Sequence, residues 1–479
     1  MQSETIVLTI EEQARIHAES VRILSEVGVR FHGEKALPLL EANGGRVSRE
    51  ERIARIPPEL VDQALRTAPK TVTFEARNPV YNFPMPSTWT GLGMDGTAAF
   101  AIDFISGERR YGTRKDIENA MRVFQAMDLA VMAWAPVAAS DAPAPSRPLH
   151  EFFTMLKYCS KHGEHELHRV EQVPFLAEGL AAIQGSEQAV RDHKIASLIY
   201  CPVAPLTHDG QMLDAYLELG SLDLPVMIMP MPVAGTTGPA SMFSNVAMAN
   251  AETLSALVVF QLAHPGRPLA YSNAIGVMDF ATGSFLAGSP ETALQSAALI
   301  AMGRYYQLPT TSTGCSTDAK EPGAQAIAEK MLSAMSDFLA GADMVIGIGE
   351  VDCSQALVLE QIVVDNDIGH LCQRMRRGID LGDSMNLFED IANVGPGGHF
   401  LKCKSTRQTA HSGVFAPSPL SDRHPYEAWV ELGRPSMYSA ARAKVTEILE
   451  GPIVDPLPED VAAQLDDILR RADAEIRAD

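Results

Sequence analysis

Between Leu224 and Glu350 one pattern recurs three and a half times. Each unit is an apolar β-rich run, then a polar loop rich in Gly, Thr, Asn or Cys, then an amphipathic helix. The runs are Pro225-Val-Met-Ile-Met, Pro268-Leu-Ala-Tyr-Ser, Leu308-Pro-Thr-Thr-Ser and Met344-Val-Ile-Gly-Ile. Their loops are Ala234-Gly-Thr-Thr-Gly-Pro, Asn273-Ala-Ile-Gly-Val-Met-Asp, Thr313-Gly-Cys-Ser-Thr-Asp-Ala-Lys and Gly349-Glu-Val-Asp-Cys. A strand, a crossover helix and a returning strand make parallel pairs, with every loop after a strand on the same side of the sheet. The expected fold is therefore α/β, a TIM-type (β/α)8 barrel with its chemistry at the mouth.

Earlier strands are predicted at Val131-Met-Ala-Trp-Ala-Pro-Val, Glu164–His168 and Ile195–Val203, and an eighth in the Gly-rich stretch Gly395-Pro-Gly-Gly-His-Phe-Leu. The barrel is placed at residues 126–420. Residues 1–125 read as a helical and β-hairpin region, with a helix from Glu11 to Val27 ended by Gly28 and a turn at Ser106-Gly107. Residues 421–479 read as a helical extension. Thr113 with Asp116, and Ser289-Pro290-Glu291, are helix-start signals. Met331, Met335, Phe338 and Leu339 recur at helical spacing and read as core.

The net charge of −21 argues against nucleic acid or an anionic membrane surface; it suits a cationic small molecule or a basic partner, and equally the acidic surface many soluble enzymes carry without such a ligand. Six cysteines, none spaced as CxxC, read as reduced thiols of a cytoplasmic protein. The N-terminus lacks the pattern of a signal peptide, and no apolar run approaches the ~20 residues of a membrane span.

The candidate chemistry lies in the loops. His162, Glu164, His165, Glu166 and His168 suggest a metal cluster, but on a strand His165 faces away from Glu164, Glu166 and His168, so no metal is assigned. Gly91-Leu-Gly-Met-Asp-Gly has glycines spaced like a dinucleotide fingerprint but opens no helix; the nucleophile elbow and the Walker loop are absent. In the loop at Gly314 to Lys320, Cys315 is a soft nucleophile or a small buried thiol, and Asp318 an acid–base group or a helix cap. Glu350 sits at a strand tip after Ile346-Gly-Ile-Gly, where a desolvated carboxylate needs a cationic ligand or a neighbouring Arg or Lys. His399 lies among three glycines and a proline, either at a close ligand approach or in a plain turn.

Together the motifs Pro232-Val-Ala-Gly-Thr-Thr-Gly-Pro-Ala, Ser316-Thr-Asp-Ala-Lys, Gln325-Ala-Ile-Ala-Glu-Lys, Gly395-Pro-Gly-Gly-His-Phe-Leu and Pro419-Leu-Ser-Asp-Arg-His-Pro-Tyr-Glu-Ala-Trp resemble the trimethylamine methyltransferase family. The resemblance implies a barrel whose mouth docks a separate corrinoid protein, methyl transfer from an amine to Co(I), and no tightly bound cofactor in this chain. It also implies that members acting on trimethylamine carry pyrrolysine near Gly314–Lys320, where this chain has standard residues only. A quaternary ammonium such as a betaine is then the expected substrate, because its departing amine leaves neutral. On this reading Cys315, Asp318 and Glu350 are the candidate catalytic residues. Trp134, Phe243 and Tyr271 would hold the cation, and Thr236, Thr237, Asn273, Gly314 and His399 would complete the substrate site. A homo-oligomer is expected. Two alternatives stay open: proton-transfer or aldolase-type chemistry using Cys315, Asp318 and Lys320, and a non-catalytic binding protein for methylated amines.

Overall fold

The apolar runs pair in parallel. The computed structural model describes residues 4–411, 415 and 418–477. Eight of its strands form one sheet: β1 (Gly91–Met94), β2 (Ala130–Trp134), β3 (His162–His165), β4 (Ala196–Tyr200), β5 (Val226–Ile228), β6 (Leu269–Tyr271), β7 (Thr311–Ser312) and β8 (Met344–Ile348). Each strand lies beside the next in sequence, and β8 returns to pair with β1. A parallel bridge between Tyr271 and Thr310 joins β6 to β7 and closes the ring. Every residue of these strands is buried, as expected of a parallel sheet covered on its outer face and filled within.

One strand differs from the sequence expectation. The slot predicted for Gly395–Leu401 is filled by β1, which lies upstream of every strand predicted for the barrel and within the residues 1–125 assigned to the N-terminal region. Residues 395–401 form a turn and a short 3-10 segment instead, and none of them is buried. The slot between β2 and β8 is narrow: a Cβ on Gly91 would lie 2.5 Å from a Val131 methyl carbon. Leu92, between the two glycines, and Met94, after them, provide apolar bulk. In the 395–398 stretch three of four residues are glycines, and Gly395 and Gly397 take φ of 65° and 80°, a turn conformation rather than an extended one.

A helix follows each strand: α2 (Arg114–Gln125), α3 (Arg147–Tyr158), α4 (Val173–Gln184), α5 (Gly210–Glu218), α6 (Met242–Ala263), α7 (Pro290–Tyr305), α8 (Ala324–Ala340) and α9 (Leu359–Arg376), with α1 (Ile10–Arg22) preceding them all. The start signals work as expected. Asp116 accepts the Thr113 N–H at 2.9 Å, and the Ser289 hydroxyl accepts the Thr292 N–H at 3.2 Å. Among the described residues only α6 is long and apolar enough to cross a bilayer, and it is buried in the fold. Asn250 on α6 explains part of that burial: its amide donates to Ser20 (2.8 Å) and Tyr306 (2.9 Å), and its carbonyl accepts from Tyr271 (2.8 Å).

Beyond α9 come α10 (Phe388–Val394), α11 (Lys404–His411), α12 (Met437–Glu450) and α13 (Glu459–Glu475). The last two pack on the outer wall: Tyr438 donates to Gln361 on α9 at 2.8 Å, and Asp473 meets His150 on α3 at 2.9 Å. At the mouth, the hairpin Phe100–Ile102/Arg109–Tyr111 joins Ala356–Leu357 and Glu350–Val351 in one small sheet. Val233–Ala234, Gly276–Met278 and Phe285–Leu286 form another. Together these sheets wall the space above the strand ends.

Candidate active site

That space is a cavity of about 500 Å³. All eight strand ends contribute to it. Asp95 follows β1, Trp134 ends β2, and Glu166 and His168 follow β3. Cys201 follows β4, Met229, Met231 and Val233 follow β5, and Ala274, Ile275, Phe285 and Ala287 follow β6. Thr313 and Ser316 come from the β7 loop, and Cys353 and Ser354 from the β8 loop. The walls are thioethers, aromatic rings and aliphatic carbon, and the charged lining groups are Asp95, Glu166 and His168. No Lys or Arg lines the cavity among the described residues.

Two buried carboxyls adjoin one another at the β1 and β8 ends. Asp95 accepts the Ser354 hydroxyl at 2.7 Å and the Gly96 N–H at 3.0 Å. The Ser354 proton is thereby committed, and neither Glu350 oxygen has a donor in hydrogen-bond geometry. Burial raises the Glu350 pKa well above the carboxylate range; the charge of Asp95 adds to this, and Ser354 and Lys330 oppose it. Burial likewise raises Asp95. A cation placed beside this pair would compensate charge that the protein alone leaves exposed to a low-dielectric surrounding.

The loop carrying Ser354 is held in an unfavourable conformation. Asp352, Cys353 and Ser354 have φ of 59°, 52° and 60°, three consecutive left-handed non-glycine residues. Asp352 is clamped from outside by Arg109 (3.0 Å) and Lys320 (2.9 Å). From below, the buried Lys330 ammonium donates to the carbonyls of Cys315 and Gly347, both at 2.9 Å, and to Asp365 at 2.8 Å. Asp365 also accepts the Gly349 N–H at 2.8 Å. One buried ion pair thus ties the β7 loop to the β8 loop. Gly347 has φ +117°, and a Cβ there would lie 2.7 Å from the Cys315 carbonyl oxygen, which explains the Ile346-Gly-Ile-Gly signature.

On the opposite wall the Trp134 indole N–H donates to His165 Nδ1 (3.1 Å), and His165 Nε2–H meets Glu151 (3.0 Å), which also accepts the Ala139 N–H at 2.8 Å. This chain locks the ring against the cavity. Glu166 and His168 approach at 3.4 Å. Burial works against the Glu166 carboxylate, but the two imidazoles of His168 and His165 outweigh it and hold its pKa below the usual range; the Glu166 contact raises His168. Deeper in the barrel, burial pushes Glu164 up to about 8, with the Ser197 hydroxyl (2.7 Å) opposing.

The sequence-derived residues are distributed unevenly around this cavity. Trp134 lines it. Glu350 adjoins it through Asp95 and Ser354. Asn273 is buried at the end of β6; its carbonyl accepts the Thr313 N–H at 3.0 Å, and its amide has no partner among the described residues. Gly314 and Cys315 lie behind the wall: a Cβ on Gly314 would lie 2.1 Å from Asp337, and burial raises the Cys315 thiol pKa well above its ordinary value. Asp318 does structural work, accepting the Ala287 and Gly288 N–H groups (2.7 and 3.1 Å) and the Cys353 thiol (3.1 Å).

Five residues stand away from the lining. Tyr271 points out of the barrel to Asn250. Phe243 lies beneath the Arg15 guanidinium, 4.8 Å from its ring centre, in a groove beside α1. Thr236 and Thr237 hydrogen-bond within their own turn to Val233. His399 is exposed on the segment after α10. Sequence reasoning missed Asp95, Ser354, Phe285 and the Met229/Met231 pair. Asp95 left a signal as a carboxylate directly after an apolar run, and Met229 as the last residue of the run that begins at Pro225.

Comparison with known proteins covers nearly the whole chain. The family model described as trimethylamine methyltransferase (MTTB) matches residues 2–477. A trimethylamine methyltransferase MttB of Desulfitobacterium hafniense is 28% identical over 97% of this chain and 93% of its own length. One from Methanosarcina thermophila is 30% identical over 96% and 95%. A glycine betaine methyltransferase of Desulfitobacterium hafniense is 28% identical over 98% of both chains.

Proposed function

Because the chain belongs to the trimethylamine methyltransferase family, we propose that it is a methyltransferase that takes a methyl group from a quaternary ammonium, such as a betaine, and passes it to the Co(I) of a corrinoid protein docked at the barrel mouth. The observation that carries this reading is the charge of the cavity. Asp95, Glu350 and Glu166 are carboxyl groups at or beside an apolar wall that contains no Lys or Arg among the described residues. A permanent cation pairs with them in their ionised form and has no acidic proton of its own to lose. Trp134 and Phe285 offer ring faces, and Met229 and Met231 offer polarisable contacts, to its methyl groups. His168, at the half-exposed rim, is the donor for a substrate carboxylate; the Thr313 and Ser316 hydroxyls are committed to the carbonyls of Asn273 (3.2 Å) and Thr313 (2.9 Å).

The corrinoid, carried by its partner, supplies the nucleophile for an sp3 carbon. This chain's own groups hold and align the substrate. The Cys353 thiol, pushed up to about 12 by burial and by Asp318, and the Cys201 thiol, raised by burial, stay neutral and do not compete for the methyl group. When the N–CH3 bond breaks, its electron pair remains on nitrogen and the amine becomes neutral. The attraction to Asp95, Glu350 and Glu166 then falls, which favours product release. The aldolase-type alternative fares worse: Lys320 is exposed, and Asp352 raises its pKa, so its amine stays protonated.

The test is a spectrophotometric assay of purified protein with reduced free corrinoid and a panel of quaternary ammonium compounds. Loss of the Co(I) spectrum with growth of the methylated form is expected for at least one betaine. No methylation from any compound in the panel, although they bind, would leave only a binding role.

A further inference from the structure

Not one residue between 379 and 411 is buried, although this segment lies inside the chain and carries ordered helices. It exposes eight large apolar side chains. Ile379 is 76% exposed, Leu381 75%, Phe388 65% and Leu401 82%, with Met385, Leu387, Ile391 and Phe400 lesser contributors. At roughly 100 Å² each they expose about 800 Å² of carbon along one segment of the chain, close to one partner's share of a standard interface.

The root of this arm tells what can cover it. It leaves at the C-terminal end of α9, where Gln373 accepts the Thr90 N–H (3.3 Å) and Arg376 reaches the Ala342 carbonyl (3.3 Å). Thr90 precedes β1 and Ala342 precedes β8, so the arm is rooted at the end of the barrel opposite the cavity. A partner that must reach the mouth is poorly placed to cover it. A partner that departs after each turnover would return the patch to water. The arm's charge is also divided: Asp380, Asp383, Glu389 and Asp390 stand in its first half, and Lys402, Lys404 and Arg407 in its second. None of these seven makes an ion pair within the chain among the described residues. α10 and α11 touch through Ser405 and Asp390, and Phe388 and Ile391 of α10 stay exposed.

We propose that the arm 379–411 is the interface of a two-fold dimer, with each arm laid antiparallel on the other so that Phe388 and Leu401 pack across the axis. An isologous contact repeats every pairing twice. The acidic half of one copy therefore meets the basic half of the other, which offsets locally the repulsion between two chains of net charge −21. The dimer does not depend on which reaction the cavity performs.

The full chain is tested by light scattering and sedimentation at about 10 µM. Wild type runs at twice the 51.8 kDa chain mass or an even multiple of it. Phe388→Asp with Leu401→Asp weakens association at least ~100-fold and gives monomer, whereas Val80→Asp, an exposed apolar position outside the arm, leaves the dimer intact. Glu389→Lys alone weakens the dimer, and Glu389→Lys with Lys404→Glu restores it. Should the double aspartate variant lose its helical circular dichroism, hydrogen exchange of wild-type residues 388–394 decides: protection that rises with protein concentration supports the dimer, and protection at no concentration overturns it. A monomeric wild type, including one whose arm becomes covered only when a separate corrinoid protein is added, overturns it, as does a double variant that remains dimeric.

Discussion

Lys330→Met removes the cation that ties the β7 and β8 loops together. Its ammonium is fully buried and has three acceptors at 2.8–2.9 Å: Asp365 and the carbonyls of Cys315 and Gly347. Breaking a buried ion pair by deleting one partner costs ~3–5 kcal/mol, because the remaining charge has lost its counterion. Asp365 keeps the Gly349 N–H (2.8 Å) and the Gln361 amide (2.7 Å) and can take up a proton, which limits the loss. The two carbonyls lose their donor, which adds to it. About 4 kcal/mol is the net expectation. At no more than about 2 °C per kcal/mol for a large chain, the melting temperature falls by about 5–8 °C. The assay is differential scanning calorimetry at fixed scan rate and concentration. Lys330→Met with Asp365→Leu removes both charges and should recover part of the loss, about 1–3 kcal/mol. A single variant that melts within about 2 °C of wild type, with the double variant no different, would refute the claim that this pair is a structural tie.

Further outcomes follow from the same geometry. Gly347→Ala forces a Cβ to within 2.7 Å of the Cys315 carbonyl at φ +117°, so it should cost about 2 kcal/mol or more in thermal melts and lower methyl transfer with it. Glu164, with its folded pKa raised to about 8, holds a proton that the unfolded chain has lost, so its contribution is complete below the ordinary glutamate value of 4.5 and is lost as pH rises through about 8. Glu164→Gln should flatten the decline in melting temperature across that window. Asp95 and Glu350 are also raised by burial, so a quaternary cation must displace any proton they hold. Its affinity should climb with pH by up to about tenfold per unit, with proton release visible in calorimetry across buffers of different ionisation heat; an affinity independent of pH would count against these carboxyls. His165→Ala leaves the Trp134 indole N–H without its acceptor and should weaken ligand binding severalfold, with a shift in tryptophan emission.

The barrel was largely legible because each unit announces itself locally. The runs at Pro225, Pro268, Leu308 and Met344 became β5 to β8, and Thr113 and Ser289 began helices as their side chains require. The strand at Gly91–Met94 was not legible. It is four residues long, half glycine, and its role is set by Val131, Met132 and the 344–348 strand around it. The candidate site divides in the same way. Trp134 and Glu350 could be placed near a strand tip by counting. Tyr271 could not be aimed, because a side chain at a strand end points inward or outward according to the register of closure, and here it meets Asn250 on α6.

Sequence alone determined the parallel α/β architecture, the acidic character and the resemblance to a family, since alternation of apolar strands with amphipathic helices, charge and motif identity are properties of the chain in one dimension. Tertiary structure decided which strand closes the ring, which carboxyls share the cavity and which cation ties the loops. Asp95 lies 259 positions from Ser354, yet their side chains meet at 2.7 Å. Lys330 and Asp365 are buried together only because closure brings α8 and α9 against adjacent strands. Such pairings depend on distances in the folded ring, and linear spacing carries no record of them.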